Sequence, residues 1–213
     1  MEDIQEYLAK SASLHSQLCP RQVLGVRMGM YAGRLLSLEL PQTNKRLLAI
    51  AESDGCFVDG VSAATGCWVG RRTLRVEDYG KVAATFIDTH TEQSVRIVPM
   101  RNVRTLAEEY APNERSSWHA QLRGYQNIPD ELLFSWQAVV LCTPIKDIIS
   151  SPGVWTNCQV CGEEIINERE VVLENSVLCR SCAGSSYYTP LPDQLDLQTQ
   201  QGVSPETSCI AGH

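Results

Sequence analysis

Several common catalytic signatures are missing from this chain. Its 213 residues contain no Gly-rich phosphate-binding loop, no Gly-x-Ser-x-Gly nucleophile elbow and no His-Glu-x-x-His metalloprotease motif. Their absence favours a binding or accessory role slightly over catalysis. Basic residues are also in deficit: 18 Lys and Arg face 25 Asp and Glu, for a formal charge of −7. Broad nucleic-acid binding needs a cationic surface, so this balance argues against it. No apolar run approaches the roughly 18 residues of a membrane-crossing helix. The first nineteen residues, MEDIQEYLAKSASLHSQLC, are acidic and polar, without the basic and apolar segments of a secretion signal. The expectation is a cytoplasmic protein in which nine cysteines are reduced thiols and metal ligands, not a disulfide framework.

Hydrophobic residues make up 43% of the chain, enough for one core plus a small module. Residues 2–18 read as a helix, and Pro20 opens a second one running to about Leu40, with Cys19 near its N-cap. Gly25, Gly29 and Gly33 fall four apart on one face of that helix. Helical glycine costs about 1 kcal/mol against alanine, so another element should pack closely there. Residues 46–52 read as a buried strand, and the Ser53-Asp54-Gly55 turn delivers Cys56. Asp59 is placed as the cap of a short helix, 60–65, ended by Gly66. Strands follow at 73–76, 81–88 and 94–99, the last two joined as a hairpin by THTEQ. Helices are expected at 102–110, at 115–124 and from Asp130, with a further strand at 136–142. Helices grouped around a hairpin-bearing mixed sheet give an α+β core.

Ser150-Ser151-Pro152-Gly153 reads as a linker. The expected organisation is a core domain over 1–150, a four-cysteine zinc-finger module over 151–188 and a disordered tail over 189–213. The tail is rich in Gln, Pro and Asp and has no periodicity. In the module, Cys158-Gln-Val-Cys161 and Cys179-Arg-Ser-Cys182 stand seventeen residues apart, the spacing of a closed tetrahedral zinc site. One structural zinc per chain is expected. Gly162 after the second ligand fits a knuckle whose backbone N–H groups donate to the thiolates, and 170–173 reads as a strand leading to the second pair. Arg169 and Arg180 are outnumbered by Glu163, Glu164, Glu168, Glu170 and Glu174. An acidic finger repels phosphate, which favours structural support or a protein partner over nucleic acid.

His15, Cys19, Cys56 and Cys67 form a second set of metal-ligating or reactive residues, each of which could equally be a packed core residue. Cys19 and Cys56 both precede a helix start, where the dipole lowers a thiol's pKa. His15 and Cys19 lie one helical turn apart.

The runs His15-Ser-Gln-Leu-Cys19-Pro20, Glu52-Ser-Asp-Gly-Cys56-Phe-Val-Asp59, Thr65-Gly66-Cys67 and Asp78-Tyr79-Gly80-Lys81 occur in order. Together with the C-terminal cysteine pairs, they resemble the E-subunit family of formylmethanofuran dehydrogenase over about residues 10–188. The resemblance implies an α+β core with a cleft, a separate zinc finger and a homodimer in which the finger reaches across to the other copy. It also implies that any catalytic pterin metal belongs to other subunits. Carried over by motif, His15, Cys19, Cys56 and Cys67 are the core metal or active site, holding a second metal of unspecified identity. Lys81 matches the family lysine. Two positions depart from the pattern: Gln17 stands where the family often has a histidine, and Arg21 where glycine commonly follows Cys-Pro. Gln is a poorer zinc ligand than imidazole.

The leading functional expectation is therefore a zinc-binding accessory subunit or metal handler. The alternative is a stand-alone metal- or thiol-dependent enzyme, with Cys56 as nucleophile and Lys81 orienting a small anionic substrate. A DNA-binding regulator acting through the finger comes third. Arg71, Arg72 and Arg75 could join an anion clamp with Lys81; solvated charge is the plainer reading for Arg71 and Arg72. Asp54, Asp59 and Asp78 are read as turn and cap residues. His90, His119 and His213 receive no role, Cys142 is read as core and Cys209 as a tail thiol.

Overall fold

The computed structural model of the chain describes residues 4–15, 17–149 and 153–191. Most of the expected tail therefore lies outside the described residues, as do Cys209, His213 and positions 150–152 of the expected linker. Two compact units meet in sequence between Ile145 and Lys146.

The first unit opens with α1 (Ile4–Ala12) and α2 (Pro20–Leu35). β1 (Leu47–Ala51), α3 (Cys56–Thr65) and β2 (Leu74–Val76) follow. Next come the hairpin β3 (Ala84–Asp88) and β4 (Ser94–Pro99), then α4 (Val103–Tyr110), α5 (Ser117–Asn127), α6 (Asp130–Leu133) and β5 (Phe134–Ala138). The five strands form one mixed sheet in the order β2-β1-β3-β4-β5, with only β1 and β2 parallel. Alternate residues share a sheet face. Leu47, Ala49 and Ala51 of β1, Ala84 and Phe86 of β3, and Val95 and Ile97 of β4 join one core with residues of α1, α2 and α3. The fold is α+β, as the sequence implies.

The glycine face of α2 lies against α3. A Cβ built on Gly25 would stand 2.2 Å from the Phe57 carbonyl oxygen, and one on Gly60 would stand 2.2 Å from that of Gln22. The two backbones touch at these reciprocal glycines. Consequently the N-terminal ends of α2 and α3, carrying Cys19 and Cys56, lie side by side.

Several boundaries differ from expectation: α1 ends at Ala12 and not at residue 18, and β3 begins at Ala84 and not at 81. Three further differences have physical reasons. α2 stops at Leu35 instead of about Leu40, because a Schellman turn closes it: Leu38 N donates to Gly33 O at 2.8 Å and Ser37 N to Arg34 O at 3.3 Å. Ser37, at φ 53°, takes the left-handed position usually given to glycine. α3 begins four residues early, at Cys56. Gly55 precedes it at φ 76° and ψ −156°, a region open essentially to glycine alone. β5 is set earlier than 136–142 because its partner β4 runs out: Ala138 pairs with Val95, and Val139 N makes the next bond, to Ser94 O.

Arg27, buried on α2, ties the helices together. Its guanidinium donates to the carbonyls of Tyr125, Gln126 and Ile128 at the end of α5 and to Asp130 of α6. At the far end of the sheet, Arg46 holds Asp88 at 2.9 Å. The guanidinium bond draws the Asp88 carboxyl down to about 2. Because the folded pKa is depressed, the stabilisation is complete above the unfolded value near 4. It is lost as pH falls through the folded one. Acid titration of the intact protein should show part of its stability loss between about pH 4 and pH 2. Asp88→Asn should flatten that part of the profile; an unchanged acid limb would show that the pair contributes nothing.

In the second unit, α7 (Ile145–Ile149), which begins at the boundary, leads toward two hairpins. β6 (Trp155–Asn157) pairs with β7 (Glu164–Ile166), and β8 (Val171–Leu173) with β9 (Ser176–Leu178). Arg169 donates to the carbonyls of Asp147 and Ile148. Apart from the cysteines and Ala183, the cluster packed here holds only Ile165 and Leu178.

Candidate functional site

Each cysteine pair of the second unit follows a strand of one hairpin. Cys158 comes directly after β6 and Cys179 directly after β9. The Gly162 N–H closes the first turn onto Cys158 O at 2.9 Å, and glycine's freedom at φ 77° permits it. Gln159 joins the two hairpins: its N–H donates to Val177 O, and its side-chain oxygen accepts from Val177 N. The four sulfurs of Cys158, Cys161, Cys179 and Cys182 all lie within 4.8 Å of one another, with Cys161 and Cys179 at 3.9 Å. Zinc–thiolate bonds of about 2.3 Å in a tetrahedron require sulfurs about 3.8 Å apart.

The donor chemistry fits as well. Backbone N–H groups of Cys161, Cys179 and Val160 hold the Cys158 thiol down at about 6. The Cys182 N–H donates to Cys179 Sγ at 3.4 Å, as the knuckle reading expects. Desolvation first, then the adjoining thiols, pushes Cys161 and Cys182 up. Four sulfurs this close cannot all ionise beside one another without a cation, and a dication bound by all four resolves the conflict. The arrangement is a structural zinc site. It leaves no coordination position for substrate.

The first unit places the remaining candidates at the helix N-termini. Cys19 caps α2, its N–H bound by the Gln22 side-chain oxygen at 2.8 Å. Gln22 is fully buried and fixed in turn by its amide nitrogen on Ser11. Cys56 is the first residue of α3, and its thiol interacts with that of Cys19. Its pKa is raised, not lowered as the helix dipole alone would have it. Burial is the main cause, followed by the Cys19 thiol, with the Asp59 carboxylate adding to it. Asp59 is not the helix cap but sits within the first turn, where it faces His15 Nε2 at 2.5 Å.

Cys67 stands apart. α3 has ten residues, a length of about 15 Å. Cys67 follows at the end away from Cys56. There it is 1% exposed and its thiol donates to Leu47 O at 3.3 Å. Burial pushes its pKa up, offset in part by the hydroxyls of Thr65 and Thr73. The expected four-residue cluster is thus two places: Cys19 and Cys56 beside His15–Asp59, and a packed Cys67. Among the described residues, no group of three His, Cys, Asp or Glu other than the zinc cysteines has ligand atoms all within 4.8 Å.

Lys81 is exposed, with its ammonium 5.8 Å from the centre of the Tyr79 ring. Its N–H and that of Tyr79 both bind Glu52 O, which anchors the Asp78–Gly80 turn to the end of β1. Asp78 accepts from Gly80 N, as a turn residue should. The Glu52 side chain forms a two-pronged bond with Arg96, at 2.5 and 2.7 Å. Arg71 is exposed; Arg75 donates to Leu74 O. His90 lies in the hairpin turn, its N–H on Asp88. His119 binds Arg115 and Ser116 at the start of α5. Cys142 is exposed, against the expectation of core. Sequence reasoning missed the His15–Asp59 pair and the role of Gln22. Only the order His15…Asp59 within the two motif runs could have suggested the first.

No helix among the described residues is long and apolar enough to cross a membrane. Residues 153–188 match the prokaryotic dksA/traR C4-type zinc finger. The chain is similar to a probable S-adenosyl-L-methionine-binding protein of Archaeoglobus fulgidus, with 29% identity over 204 residues covering 84% of this chain and 53% of that protein. It therefore spans about half the length of that curated relative. The fold is that of a tungsten formylmethanofuran dehydrogenase FmdE-like protein from Syntrophus aciditrophicus. The TM-score is 0.56 at 22% identity, over 88% of this chain and 96% of the other. Residues 14–135, more than half the chain, match the family described as FmdE, molybdenum formylmethanofuran dehydrogenase operon, and the chain belongs to that family.

Proposed function

We propose that the protein is a cytoplasmic accessory or metal-handling member of the FmdE family. On this reading, the Cys19–Cys56 pair takes up a soft or borderline divalent cation and His15 closes onto it, since the three ligand atoms do not all lie within 4.8 Å of one another beforehand; the zinc finger is structural and serves a protein contact. The carrying observation is the His15–Asp59 pair beside two adjacent thiols. A ligating imidazole ordinarily donates its other N–H to a carboxylate, and Asp59 at Nε2 leaves Nδ1 as the ligand atom. Thiolate and imidazole donors suit zinc and softer metals. The raised pKa of Cys56 weighs against a resting thiolate nucleophile and favours a thiol that ionises when a cation arrives. For the finger, exposed Trp155, Ile166 and Val172 beside its acidic residues suit a protein partner better than a phosphate backbone.

The test is metal content per chain on anaerobically purified full-length protein. Wild type should hold two metal ions, and Cys19→Ser combined with Cys56→Ser should hold one, with the finger still loaded. One ion in both proteins would remove the second site and with it the metal-handling role.

A further inference from the structure

We infer that the first unit carries a binding site for a small organic phosphate, in a cavity of about 250 Å³ between the N-terminal ends of α2 and α4. This site is separate from the zinc cysteines and uses neither thiol of the pair. Pro20 and Arg21 open α2, and Arg101, Val103 and Arg104 stand at the start of α4; all line the cavity, as do Gln121 and Tyr125 of α5. No carboxylate lines it. In a chain of net charge −7, three exposed arginines among the residues lining one small hollow make a local reversal of sign. None of the three forms an ion pair among the described residues. Two helix N-termini add their partial positive charge.

Tyr125 points to a ligand independently of the charges. It is 2% exposed, yet its hydroxyl has no hydrogen-bond partner among the described residues. No fully sealed side-chain polar atom is left unpaired among the described residues, so this hydroxyl keeps access to solvent, on a residue that lines the cavity. Burial pushes its pKa up while the nearby Arg104 pulls it back. An open hydroxyl is met by water in the cavity, and an oxyanion can accept from it in the place of that water.

The ligand's chemistry follows from the walls. Three cations and a phenol O–H offer more charge and more donors than a carboxylate's single charge and two oxygens can use. A phosphoryl group, with nearly two charges and three acceptor oxygens, matches them. Leu24, Val82, Met100 and Val103 supply an apolar side, which calls for a short organic body on the phosphate.

The experiment measures binding of inorganic phosphate, acetate, methylphosphonate and propylphosphonate to the full chain. Calorimetry and 31P line widths are read at ionic strength held constant with sodium chloride. Saturable phosphate binding is expected, tighter than acetate. Propylphosphonate should bind more tightly than methylphosphonate, by up to about four-fold for each methylene that is buried. Arg104→Gln should weaken phosphate binding at least about ten-fold, and Tyr125→Phe several-fold, with the amide spectrum of the fold unchanged. No saturable phosphate binding, equal binding of acetate, or wild-type affinity in both variants would overturn the site. Equal affinity for the two phosphonates would overturn the organic ligand. Metal content is unaffected by these variants, so this result and that for the thiol pair stand or fall separately.

Discussion

Cys179→Ser should unfold the finger while leaving the first unit intact, the largest single effect expected in this protein. The reason is how little else holds the second unit together. Its packed cluster is Cys158, Ile165 and Leu178, with Cys179, Cys182 and Ala183 at the margin. Burying two aliphatic side chains yields about 3–6 kcal/mol. Ordering some thirty residues costs several times that. The four strands are three residues each, in two separate hairpins that are marginal alone. Zinc bound by four thiolates contributes on the order of 10 kcal/mol or more to such modules, and loss of one ligand removes much of it. Amide exchange on the full-length variant should therefore lose protection across residues 153–188. The β1, β3 and β4 amides should keep theirs. A strong chelator acting on wild type should produce the same pattern. Protection in the finger that survives both treatments would mean that packing, not metal, holds it.

The sequence announces the zinc site because ligation is local: two short turns, each closed by its own backbone, need only the right spacing. The glycine face of α2 is legible for a similar reason. Helical periodicity places Gly25, Gly29 and Gly33 together, and the unfavourable propensity of glycine demands a cause. The α+β class and the β3–β4 hairpin follow from alternation and turn chemistry. What could not be read depends on tertiary contacts. Ser37 ends α2 in a conformation that Gly or Asn would have advertised. Gly55 starts α3 four residues early by a backbone angle without a sequence motif. Cys67 looked like a third ligand because it matches a cysteine of the family motif, but an intervening helix carries it and Cys56 to opposite ends. Arg27 and Tyr125 receive no role from the sequence. Their roles arise only when α5 packs against α2. Dimerisation rests on the family resemblance alone.

The contact between α2 and α3 gives the second large prediction. Gly25→Ala should lower the midpoint of thermal unfolding of the first unit by roughly 10 °C, and Gly60→Ala by a similar amount. Helix propensity alone points the other way, since alanine is favoured by about 1 kcal/mol within a helix. Packing reverses the sign. The new methyl would meet a backbone carbonyl oxygen at 2.2 Å in either variant, and also a backbone nitrogen at 2.9 Å. No rotamer change relieves a clash between Cβ and main chain, so the helices must separate by about 1 Å. That separation strips contacts from a close-packed core, at a net cost on the order of 3 kcal/mol. The same displacement would part Cys19 from Cys56, whose helix starts lie just beyond the crossing. Gly25→Ala should therefore also reduce any metal held by that pair, even under conditions where the protein stays folded. Gly70→Ala is the control: nothing lies within 4 Å of its added methyl, and its midpoint should move little. If Gly25→Ala matched this control in both melting and metal content, the close crossing would not be what brings the two thiols together.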